Sequence, residues 1–98
     1  MDRYREEACS EDKTDFRLQT EAVSEDICIM LDKKNRDYGD DNLLKFGTFG
    51  ILVRCSDKIS RLEHIMTSKT NAVGESEEQE WLDIAGYAIQ ALRIIRNR

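Results

Sequence analysis

Apolar residues recur every three or four positions in three separate stretches of this 98-residue chain, and no stretch alternates with the two-residue period of a strand. That periodicity, in a chain without a single proline, restricts the fold to packed helices. In the first stretch, from about Asp15 to Asn35, the stripe is Phe16, Val23, Ile27, Met30 and Leu31, with Thr14 or Asp15 as the N-cap. The second starts near Asn42 or after Phe46-Gly47 and reaches about Ser68, carrying Phe49, Leu52, Ile59, Leu62, Ile65 and Met66 on its apolar side. Ser76, followed by Glu78 and Gln79, marks the capped start of the third. There Trp81, Leu82, Ala85, Ala88, Ile89, Leu92 and Ile95 form a broad apolar face, and Glu80, Asp83 and Tyr87 share another side.

Between the first two helices lies a polar break, Asn35-Arg-Asp-Tyr-Gly-Asp-Asp-Asn42, rich in residues that accept tight backbone conformations. The expected architecture is all-α: a bundle of three main helices over residues 14–98, preceded by a polar leader at 1–13. Three short-looped helices cannot cover one another's wide apolar faces. The bundle is therefore expected to be completed by self-association, as a homodimer or homotetramer.

Twenty acidic against fifteen basic residues give a net charge of −5, which repels nucleic-acid backbones and argues against nucleic acid as a partner. No apolar run approaches the roughly 20 residues that cross a bilayer, and the charged N-terminus lacks the apolar core of a secretory signal. Cys9, Cys28 and Cys55 are odd in number and widely spaced, as in a reducing compartment, so the cytoplasm is the expected location. Cys28 and Cys55 read as small packing residues.

Three groups of residues could carry chemistry. Glu80 and Asp83 lie three apart, where two carboxylates can face one hard cation such as magnesium. The alternative is a solvated acidic helix start favoured by the macrodipole. On the second helix Arg54, Asp57 and Arg61 line up at i, i+3 and i+7 with Lys58 beside them. They form either an intrahelical ion-pair ladder or a metal-binding carboxylate flanked by phosphate-binding cations. The break mixes cations, among them Lys34, with oxygen donors and Tyr38, an aromatic that can stack on a base or anchor the loop. Phe46-Gly47-Thr48-Phe49-Gly50 lacks the lysine of a P-loop, so its glycines point to a tight turn or close packing. His64, the only histidine, has no marked nucleophilic partner and supports no triad.

Several ordered blocks over the last two thirds of the chain carry a resemblance. They are Lys34-Asn-Arg-Asp-Tyr-Gly-Asp-Asp-Asn42, Lys45-Phe-Gly47, Phe49-Gly-Ile51, Arg54-Cys-Ser-Asp-Lys-Ile-Ser-Arg61-Leu62, Glu75-Ser76 and Leu82-Asp-Ile-Ala-Gly-Tyr-Ala-Ile89. Together they resemble the nucleotide modification-associated domain found in many phages, which is similar to the MazG-like all-α nucleoside triphosphate pyrophosphatases. The resemblance implies Mg2+-dependent hydrolysis, with Mn2+ as a substitute, of a nucleoside or deoxynucleoside triphosphate to the monophosphate and pyrophosphate, in the host cytoplasm for a phage protein. It implies Asp57, Asp83 and Glu75 as catalytic metal ligands; Glu80 is a further candidate from its spacing to Asp83 alone. Lys34, Arg54, Lys58 and Arg61 would contact phosphate, and Asp37, Tyr38 and Asn42 would shape the nucleotide pocket.

One position departs from the pattern. Relatives commonly read Glu-Ser-x-x-Asp, and Gln79 stands in this chain where that aspartate falls; Glu80 lies about 100° further around the helix. The alternative is therefore a protein of the same fold that binds a nucleotide or nucleotide-derived signal without turning it over.

Overall fold

The computed structural model describes residues 13–39, 45–68 and 76–98. Every regular element among them is a helix: α1 (Asp15–Tyr38), α2 (Gly47–Thr67) and α3 (Glu77–Arg96). The all-α expectation is met. Residues 1–12, 40–44 and 69–75 lie outside the described residues, and most of the leader, Asn42 and Glu75 with them.

Each helix end has a local cause. Thr14 Oγ1 accepts from the Arg17 amide at 3.1 Å, and Ser76 Oγ accepts from the Gln79 amide at 3.0 Å, so both N-caps fall where the sequence places them. Replacing Ser76 with alanine strands that amide and is expected to cost about 1 kcal/mol. In a domain of this size that lowers the melting temperature by roughly 4–8 °C, measurable by circular dichroism.

Helix α1 does not stop at Asn35. It runs on through Arg36 and Asp37 to Tyr38 and ends at Gly39, whose φ of 72° is open to glycine at little cost and whose amide donates to the Asn35 carbonyl at 2.8 Å. Asx residues near a helix end tolerate helical backbone, so the glycine sets the boundary. At the start of α2, Gly47 adopts φ 59°, and a Cβ on Gly50 would sit 2.6 Å from Phe46 Cβ. These glycines thus serve a turn and a close approach. Among the described residues no helix is long and apolar enough to cross a membrane.

Helix α3 packs mainly against α2 and more sparingly against α1. The buried apolar side chains are Ile27 of α1 with Ile51 and Leu62 of α2. From α3 the buried positions are Glu80, Asp83, Gly86 and Gln90, at helical spacing along one face. The most deeply buried face of α3 is thus its polar one, whereas of the expected apolar face Trp81, Leu92 and Ile95 are each half exposed and Leu82, Ala85 and Ile89 partly buried. Much of the stripe expected to be inside α1 and α2 is open too, with Phe16 79% and Phe49 72% exposed. Periodicity identifies a helix's apolar face but not whether another helix of the same chain meets it. Cys28 is likewise exposed rather than a packing residue, whereas Cys55 is half-buried and its thiol is pushed up by burial.

Gly86 sets how closely α1 can cross α3. A Cβ there would meet Leu31 Cδ2 at 3.1 Å and Met30 Cε at 3.2 Å, so the missing side chain lets α1 settle close against α3.

Candidate functional site

All three helices contribute to one polar cluster. Asp83, in the second turn of α3, accepts at Oδ1 from Gln79 Nε2 (2.9 Å) and from Lys34 Nζ of α1 (3.2 Å). Its Oδ2 lies 2.9 Å from Lys58 Nζ of α2, and the same ammonium is 3.5 Å from Glu80 Oε2. Glu80 and Asp83 are 3% and 8% exposed, Lys58 is largely buried, and the Lys34 side chain is half exposed. Two carboxylates thus face two ammonium groups, a neutral set that a low-dielectric site can hold where a lone charge could not persist.

Titration follows from these contacts. Burial alone would raise the Asp83 pKa, but hydrogen bonds from Lys58, Gln79 and Lys34 outweigh it and hold the carboxyl below its ordinary 3.8. Burial alone would lower that of Lys58. Asp83 and Glu80 outweigh both burial and the repulsion from Arg61, and hold the ammonium above its ordinary 10.5. Asp83 and Lys58 are therefore both charged at neutral pH. Oε2 of Glu80 is buried and accepts no hydrogen bond; its approach to Lys58 is an ionic contact without hydrogen-bond geometry.

Beside the cluster opens a cavity of about 520 Å3 between the C-terminal half of α1 and the middle of α3. Its walls are Met30, Leu31, Lys34, Asn35, Tyr38 and Gly39 from α1, Arg54 from α2, and Asp83, Gly86, Tyr87 and Gln90 from α3. The volume falls within the range of small-molecule sites, and the lining combines an apolar floor, two aromatic rings, two cations and two amides.

The residues expected at the site separate into groups. Lys34, Tyr38, Arg54 and Asp83 share the cavity, and Lys58 and Glu80 adjoin it through Asp83. Asp57 is exposed and pairs with Arg61 one turn along α2 at 3.5 Å, the contact of an intrahelical ladder. Asp37 is exposed at the end of α1 and does not line the cavity. Asn42 and Glu75 lie outside the described residues. Met30, Leu31, Asn35, Gly39, Gly86, Tyr87 and Gln90 line the cavity without being among the site residues the sequence suggests. The sequence did hold a signal for part of that set: Asp83, Gly86, Tyr87 and Gln90 fall at i, i+3, i+4 and i+7, a row of polar and small residues cutting across an apolar helix.

Among the described residues no group of three or more His, Cys, Asp or Glu side chains is placed to hold a metal ion. The nearest approach to one is the Glu80–Asp83 pair. Magnesium takes one or two protein carboxylates and completes its shell with water and substrate phosphate. The two adjacent carboxylates supply that number, and Lys58 Nζ lies against both, 2.9 Å from Asp83 Oδ2 and 3.5 Å from Glu80 Oε2.

Residues 34–95 match the family described as nucleotide modification associated domain 1. No curated protein and no solved structure matches the chain.

Proposed function

Because the chain belongs to the nucleotide modification associated domain 1 family, we propose that its cavity binds a nucleoside or deoxynucleoside triphosphate and that the chain hydrolyses it to the monophosphate and pyrophosphate. The observation that carries the nucleotide part is the lining of the 520 Å3 cavity: Tyr38 and Tyr87 offer faces for a base, and Lys34 and Arg54 offer donors for phosphate. The match to the family extends over both sides of that cavity.

In the hydrolytic reading, water adds to the α-phosphorus, the bond to the oxygen bridging the α and β phosphates breaks, and pyrophosphate leaves. Glu80 and Asp83 would hold Mg2+ or Mn2+, with Glu75 completing the set and Asp57 as a further carboxylate of the family pattern. The metal supplies a bound water of lowered pKa and screens the phosphate charge. Lys34 and Arg54 position the polyphosphate and neutralise charge on the leaving group. Lys58 keeps Asp83 ionised and holds it beside Glu80, and Arg61 adds positive charge on the same helix.

A second reading, tight nucleotide binding without turnover, is favoured by one specific contact. Gln79, where the family resemblance places an aspartate, donates its amide to Asp83, so that carboxylate is already supplied with donors by Gln79 and two lysines. Incubation with Mg2+ and a panel of NTPs and dNTPs, with released pyrophosphate as the readout, distinguishes them. Release that Lys34→Met weakens while the fold persists supports hydrolysis. Saturable binding with no release, together with release gained in Gln79→Asp, identifies a binder whose site that glutamine has silenced.

The exposed apolar stripes of all three helices also support association with a second copy, as a homodimer or homotetramer. Sedimentation equilibrium gives the stoichiometry.

A further inference from the structure

We propose that Gln90 reads the base and selects nucleotides with a carbonyl at purine C6 or pyrimidine C4, guanine, thymine or uracil, over adenine and cytosine, which carry an amine there. This rests on the cavity being the nucleotide site. Gln90 lines the cavity and is only 8% exposed. It follows Asp83 by seven residues on the same face of α3, about 10.5 Å along the axis at 1.5 Å per residue. That separation matches the reach of a nucleotide whose phosphates lie at Lys34 and Asp83 and whose base lies beside Tyr87.

The orientation of the Gln90 amide is set by chemistry. Its Oε1 accepts a hydrogen bond from Arg93 Nη1. A guanidinium can only donate, so the carbonyl end must face Arg93 and the NH2 end is left for a ligand. A fixed donor complements O6 of guanine or O4 of thymine and uracil, and meets the N6 or N4 amine of adenine or cytosine donor to donor. Gln90 is thus a specificity-determining residue whose polarity Arg93 holds.

The test is calorimetric titration of the full chain, in Mg2+, with α,β-imido deoxynucleoside triphosphates of each base, which cannot be cleaved between the α and β phosphates. The guanine and thymine analogues are expected to bind at least about 10-fold more tightly than the adenine and cytosine ones, the scale of one buried hydrogen bond made or refused. Gln90→Glu replaces the NH2 with an acceptor oxygen. It weakens every analogue by repelling phosphate, and the ratio between base classes falls to one or inverts. Arg93→Met releases the amide to present either end and erases the preference by a route that adds no charge. Equal affinity for all four bases in the wild type overturns the assignment while leaving the nucleotide site intact, and this arm decides even if a variant fails to fold. A preference that survives both substitutions assigns base reading to another residue. Binding of none of the analogues removes the nucleotide reading and the base selection together.

Discussion

Asp83→Asn is expected to destabilise the fold by about 3 kcal/mol, the lower end of what breaking a buried ion pair costs. The carboxylate it removes is held by α1, α2 and α3 at once, through Lys34, Lys58 and Gln79. The substitution is nearly isosteric, so the loss reports charge and hydrogen bonding rather than packing. Lys58 is left largely buried with only Glu80 opposite it. Against the 5–15 kcal/mol that holds a typical domain together, this is a large fraction, and the melting temperature falls by more than about 10 °C.

The pH dependence carries a signature of the same group. Because the folded pKa of Asp83 lies below 3.8, its contribution is present above that value and disappears as the pH falls through the folded pKa. For Lys58, whose folded pKa is raised, the contribution is present below 10.5 and is lost as the pH climbs through the folded value. Urea melts between pH 2 and pH 7 should therefore show a steeper acid loss in the wild type than in Asp83→Asn. Parallel curves would place the acid sensitivity elsewhere.

Lys34→Met is expected to do the opposite: to leave stability within about 1 kcal/mol and to weaken nucleotide binding by about 10- to 100-fold. The Lys34 side chain is half exposed, and its 3.2 Å contact to Asp83 is one of three that the carboxylate receives. Solvent screens a pair of that kind, so its loss costs folding little. The same ammonium lines the cavity, where among the described lining residues Arg54 is the other cation able to donate a charge-assisted hydrogen bond to phosphate. Lys58 provides the contrast. Its ammonium lies between two buried carboxylates, so Lys58→Met leaves Glu80 and Asp83 to repel each other and disturbs folding before binding. Calorimetry at fixed salt, beside urea melts of both variants, separates the two lysines.

The helices were legible in the sequence because caps and periodicity are local. Thr14, Ser76 and Gly47 each fix a boundary through a bond or a backbone angle within a few residues. Asn35 misleads for the complementary reason: its Asx chemistry suits a break, but Gly39 four residues on is the residue that ends α1. Which face is buried is a long-range property. Trp81 and Leu92 belong to the most apolar side of α3, yet α1 and α2 meet the side carrying Glu80, Asp83 and Gln90.

The site was legible in the same proportion. Asp83 stands out between Leu82 and Ile84 as a charge that needs partners, and its partners proved to be Lys34, forty-nine residues away, and Lys58. Asp57 occupies a comparable place in the family pattern but pairs with Arg61 on its own helix. Spacing alone is the same for a ligand and a ladder. Gln90 escaped notice because a single amide in an apolar run has no sequence motif; only the cavity beside it and the Arg93 contact give it a direction.

The central claim, that a nucleotide occupies the cavity beside Asp83, can be tested by a single spectrum. Of the three methionines Met30 lines the cavity, whereas Met66 sits exposed near the end of α2 and away from it. In protein labelled at the methionine ε-methyl carbons, titration with an α,β-imido deoxynucleoside triphosphate and Mg2+ should move the Met30 resonance along a saturating curve and leave Met66 in place. A Met30 resonance unmoved by any of the nucleotides, or a Met66 shift without it, would contradict the assignment.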